Sequence, residues 1–82
     1  MEERREQQRH RTLKAGTIEF NRAGGISCTV RNMSDEGASL EVASPIGIPD
    51  DFTLGIESDH VIRHCHVVWR SNTRIGVKFV QP

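Results

Sequence analysis

The sequence contains no tyrosine, one tryptophan and three phenylalanines. That scarcity of flat side chains tells against a binder of single-stranded nucleic acid, which stacks bases on several exposed aromatics. Eleven basic residues are balanced by eleven acidic ones, which tells against a general polyanion surface, so no nucleic acid polymer is expected as a partner. No run of about 18 apolar residues occurs, so no membrane span is expected. The opening Met1-Glu2-Glu3-Arg4-Arg5 lacks the apolar stretch of a secretory signal. Only two cysteines are present, Cys28 and Cys65, and their wide spacing points to reduced thiols in a cytoplasmic protein. No convincing amphipathic helix can be traced.

What remains is period-two alternation in a chain of 82 residues, the length of one small domain. A domain of this size buries roughly 60% of the surface its unfolded chain exposes. The alternation predicts six short strands. The first runs from Leu13 to Phe20, interrupted by Gly16, where a bulge or a close backbone approach is expected. After the turn Asn21-Arg22-Ala23-Gly24-Gly25 come Ile26 to Arg31 and Ala38 to Val42. The loop Ser44 to Asp51 carries two prolines and is expected to cap the core with Ile46 and Ile48. Phe52, Leu54 and Ile56 mark the fourth strand and Val61 to Arg70 the fifth. Ile75, Val77 and Phe79 mark the sixth. In the fifth strand, Trp69 shares its phase with Cys65 and Val67 and is therefore expected in the core. Six strands joined by turns predict an all-β fold, a small six-stranded antiparallel β-barrel closed on itself.

Charge is distributed less evenly than its sum implies. Residues 1–11 hold Arg4, Arg5, Arg9 and Arg11 with His10 and three glutamates, and have no apolar face to bury. They are expected to form a flexible arm, with 12–82 as the single barrel domain. In a helical turn Arg5 and Arg9 would share a face, and guanidinium groups grip phosphates and the O6/N7 edge of guanine. The second polar concentration is Asn32-Met33-Ser34-Asp35-Glu36-Gly37, a link between two alternating runs that is long for a plain hairpin. Its Asn32 and Ser34 offer hydrogen-bonding groups, and Gly37 can adopt backbone angles closed to other residues.

Arg5-Glu6-Gln7-Gln8-Arg9 followed by Asn32-Met33-Ser34-Asp35-Glu36-Gly37 resembles the paired Arg-x-x-x-Arg and Asn/Asp-x-Ser-x-x-Gly motifs of the bacterial PilZ domain. Val67-Val68-Trp69-Arg70 and Arg74-Ile75-Gly76-Val77-Lys78-Phe79 extend the likeness over nearly the whole chain. The resemblance implies a receptor for the second messenger cyclic di-GMP, with no other cofactor. It implies that Arg4, Arg5 and Arg9 clamp the dinucleotide, that Asn32 and Ser34 hydrogen-bond it, and that Gly37 shapes the turn. It also implies signalling to a downstream protein. The family often carries a C-terminal helix; none follows the sixth strand here, so output is expected from the barrel surface or the arm.

Other function classes are weaker. His64-Cys65-His66 invites a metal, but on a strand the histidines point away from the cysteine, leaving an incomplete ligand set. No nucleophile, base and acid stand at a recognisable spacing, so no enzyme is expected. Asp35 and Glu36 place negative charge beside the expected anion site. Their repulsion would weaken binding, and since some members of the family act only through protein contacts, the alternative is a PilZ-like interaction module that does not bind cyclic di-GMP.

Overall fold

The computed structural model describes residues 10–20 and 25–80 of the chain. Its strands are β1 (His10–Glu19), β2 (Gly25–Met33), β3 (Gly37–Glu41), β4 (Asp51–Ile56), β5 (Val61–Arg70) and β6 (Arg74–Val80). A 3-10 turn spans Glu57–Asp59. Every neighbouring pair is antiparallel, and the order β1-β2-β3-β6-β5-β4 closes with β4 against β1. Each strand therefore has partners on both sides, and the expected six-stranded antiparallel barrel is what the sequence forms.

Alternation builds the core directly. In β4, Phe52, Leu54 and Ile56 point inward and are buried, while Asp51, Thr53 and Gly55 face out or lie part-way. Ile18, Val30, Leu40, Leu54 and Ile75 are fully shielded from solvent, each contributing roughly 1.5–3 kcal/mol of burial. Gly16 faces this interior. A Cβ there would stand 3.1 Å from Cys28 Sγ and 3.2 Å from both Leu54 and Val30. The glycine thus answers to packed side chains rather than to a bulge or a backbone, and it pairs regularly with Cys28 and Ile56.

Extra residues interrupt the ladders at three places: between Arg11 and Lys14 in β1, around Arg31 in β2, and around Val68 in β5. The last of these overturns the expected placement of Trp69. Val67 pairs with inward Val77, but Trp69 pairs with Gly76 rather than with the residue two along. One residue has been absorbed, so the face is exchanged. Trp69 emerges on the outer wall with 48% of its surface exposed.

The same shift carries Arg70 to the end of the barrel, opposite Ile75. There its guanidinium donates to the Ile48 carbonyl at 2.7 Å and pairs with Asp50 at 2.8 Å, pinning the 44–51 loop. Within that loop Ile48 is buried as expected, but Ile46 is 87% exposed. The Ile48 amide donates to the Pro45 carbonyl at 3.2 Å, and Gly47 takes a positive φ of 89°. This tight reversal turns Ile46 outward.

Candidate functional site

The Asn32–Gly37 segment is shorter as a loop than as a motif. Asn32 and Met33 complete β2, opposite Ser39 and Ala38, and Gly37 already belongs to β3. Only Ser34, Asp35 and Glu36 connect the strands. The link is a fixed tight hairpin. The Ser34 amide donates to the Gly37 carbonyl at 2.9 Å, and the Glu36 amide donates to Ser34 Oγ at 3.2 Å. Glu36 returns a carbonyl to the Phe79 amide at 2.7 Å, tying the turn to β6. Ser34 Oγ thus accepts one hydrogen bond and keeps its proton to donate. The Asn32 side chain has no hydrogen-bond partner among the described residues.

Gly37 is required for a reason other than backbone freedom. Among the described glycines only Gly47 has a positive φ. A Cβ on Gly37 would instead collide with the Val77 carbonyl oxygen and stand 3.1 Å from Lys78 Cα. The glycine lets β3 pack against β6 beside the turn, where it pairs with Lys78.

Cross-strand register then assembles a surface that the linear sequence conceals. Asn32 lies opposite Ser39, Ser39 opposite Gly76, and Gly76 opposite Trp69. One row therefore runs across four strands on the outer wall. Gly76 supplies no side chain, and the Trp69 indole occupies the space: a Cβ at Gly76 would run into the pyrrole half of that ring. Ser39 Oγ, beside this glycine, is buried and has no hydrogen-bond partner among the described residues. The row forms the floor of an open groove of about 440 Å³, which Ser34, Glu36, Arg74 and Lys78 also line. Asn32, Ser34 and Gly37 are thus brought together with a half-exposed aromatic face. Arg4, Arg5 and Arg9 lie outside the described residues.

Residues 3–82 match the family profile of the PilZ domain. The chain belongs to the PilZ domain family. No curated protein matches it. PilZ is a family of cyclic di-GMP receptors and binding domains, and the match covers the turn, the row and all six strands of this PilZ domain.

Four residues of the groove, Trp69, Ser39, Arg74 and Lys78, escaped the sequence reading as site residues. Trp69 was hidden by the bulge, although an outward glycine four residues before the end of a strand, near a lone tryptophan, is a legible sign of a covered wall. Ser39 looked like any outward polar position. Elsewhere the chemistry is quiet. Burial pushes the Cys28 thiol up to about 11 and the Cys65 thiol up to about 12, so both stay protonated and unreactive near neutrality. Cys65 is buried inward while exposed His64 and half-exposed His66 flank it, and His66 Nδ1 lies 2.9 Å from Asp51 Oδ1. No cluster of three metal-ligating side chains occurs among the described residues, nor is any helix there long and apolar enough to cross a membrane.

Proposed function

We propose that this PilZ domain is a bacterial, cytoplasmic receptor for cyclic di-GMP that binds the dinucleotide on its outer wall and passes the signal to a protein partner. The observation that carries the reading is the Asn32–Ser39–Gly76–Trp69 row, which places a polar notch directly beside a flat, half-exposed ring. A purine dinucleotide needs both. Trp69 offers a stacking face worth roughly 1–3 kcal/mol per base. Asn32 and Ser34 donate and accept at base or ribose edges, and Gly37 keeps the turn against β6 so that these groups stay in place.

Residues 1–9, which precede β1, form the second half of the site; His10 and Arg11, expected in the arm, instead pair with Met33 and Asn32 as the start of β1. Arg4, Arg5 and Arg9 grip guanine edges and phosphates, each good bidentate contact contributing roughly 1–3 kcal/mol. Two such contacts with one stacked base supply much of the ~8 kcal/mol that micromolar binding requires. Fixing the arm costs on the order of 1–2 kcal/mol per residue. That opposition makes the arm a switch, loose without ligand and closed over the groove with it. The protein carries no catalytic role in this reading.

Calorimetric titration of cyclic di-GMP, GMP and a short oligonucleotide tests it on the wild type and on Arg9→Ala, Ser34→Ala and Trp69→Ala. Selective binding of the dinucleotide, weakened in all three variants, is the expected result. Binding of no nucleotide at all would overturn the reading in favour of an interaction module, the alternative supported by Glu36 in the groove lining.

A further inference from the structure

Along β6, Arg74, Gly76 and Lys78 face the groove at alternate positions. The Trp69 ring sits on the central glycine, so a cation flanks the ring on each side, about 6–7 Å along the strand from Gly76. Two carboxylates that the strand register brings towards these cations are engaged elsewhere. Glu41, directly opposite Arg74, takes the Arg31 guanidinium at 2.9 Å. Asp51, one strand beyond the His66 that faces Lys78, takes His66 at 2.9 Å. Among the described residues neither Arg74 nor Lys78 makes an ion pair, and Glu36 is the only carboxylate lining the groove.

We infer that Arg74 and Lys78 are phosphate-binding residues of the barrel wall, acting independently of the N-terminal arm. The inference rests on the cyclic di-GMP reading and deepens it. Each nucleoside of a cyclic dinucleotide is flanked by two phosphodiesters, one on its 3′ side and one on its 5′ side. A base lying on the Trp69 indole therefore has an anion on either side of it. The β6 stripe offers the complementary order of cation, ring and cation. Glu36 opposes this charge from the hairpin, so the two cations also offset the one unfavourable group in the groove.

Calorimetry with cyclic di-GMP at two salt concentrations tests the assignment on the full chain. Lys78→Ala and Arg74→Gln are each expected to lower affinity about three- to tenfold, the scale of one solvated charge-assisted contact. Both are expected to reduce its salt dependence. Lys78→Arg should retain affinity, and Lys78→Glu should lose more than Lys78→Ala. Lys78 is exposed, so its variants stay folded, and melting curves check Arg74→Gln. Wild-type affinity and salt dependence in both neutral variants, with Arg9→Ala still impaired, would overturn this inference and leave the receptor reading intact. No binding of cyclic di-GMP by the wild type would overturn both.

Discussion

Gly37 and Gly76 face equally severe overlap if a methyl group is added, but the atoms they would meet differ in kind. At Gly37 the obstacle is the Val77 carbonyl and Lys78 Cα, which belong to the backbone of β6. Relief requires β3 and β6 to separate, with loss of the pairing around Gly37 and Lys78 and strain on the Phe79 to Glu36 hydrogen bond. Because Gly37 has no positive φ, alanine is conformationally acceptable there and the cost is steric alone. Overpacking of this sort costs about 1–3 kcal/mol, with a rigid neighbour placing it near the top of the range.

A domain of 82 residues has a total stability of roughly 4–12 kcal/mol. Gly37→Ala is therefore expected to lower Tm by about 10–20 °C. At Gly76 the obstacle is the Trp69 ring, which is half exposed and can rotate away. The contact it loses is partly offset by the gain of about 0.5–1 kcal/mol from removing a strand glycine. Gly76→Ala should thus change stability by less than about 1 kcal/mol. Since Trp69 is the only tryptophan, its native fluorescence should shift to the red in Gly76→Ala and remain nearly unchanged in Gly37→Ala. Thermal melts followed by circular dichroism, with emission spectra of the folded proteins, measure both. Equal melting losses in the two variants, or an unperturbed Gly37→Ala, would refute the distinction between backbone and side-chain obstruction.

Two further outcomes follow from titratable groups. The thiols of Cys28 and Cys65, raised by burial to about 11 and 12, should react with a maleimide at pH 7 only as fast as the barrel opens, and rapidly in denaturant; modification of the folded protein at the rate of a free thiol would contradict their placement. The Lys14 ammonium, bonded to Asp59 at 2.7 and 2.9 Å, holds that carboxyl below its ordinary 3.8. The stabilisation this gives is complete above the ordinary value and disappears as pH falls through the lower folded one. Asp59→Asn should therefore show a shallower loss of Tm than the wild type on acidification from pH 5 to 2, and parallel curves would show that the pair contributes nothing.

The fold was legible because six stretches alternate cleanly and the turns between them are polar. Periodicity carries no information about an inserted residue, however. The extra residue at Val68 exchanged the faces of Trp69 and Arg70, moving one from the expected core to the groove and the other to the 44–51 loop. Ile46 shows a second limit: its hydrophobicity predicted burial, but a tight reversal between Pro45 and Ile48 decided its direction. The motif turn was visible as polar residues at a family spacing. Its neighbours Ser39, Arg74 and Lys78 were not, because register brings them there from two other strands.

The glycine of the turn has a consequence for how relatives of this chain should be compared. Gly37 sits at the seam where the first half of the barrel meets the last strand, and a side chain there would pry the seam open whether or not a nucleotide ever binds. A chain that had abandoned the ligand would still be under pressure to keep that residue. Its presence therefore diagnoses the barrel, and on the function proposed above the information about binding lies instead in Asn32, Ser34 and the ring of Trp69.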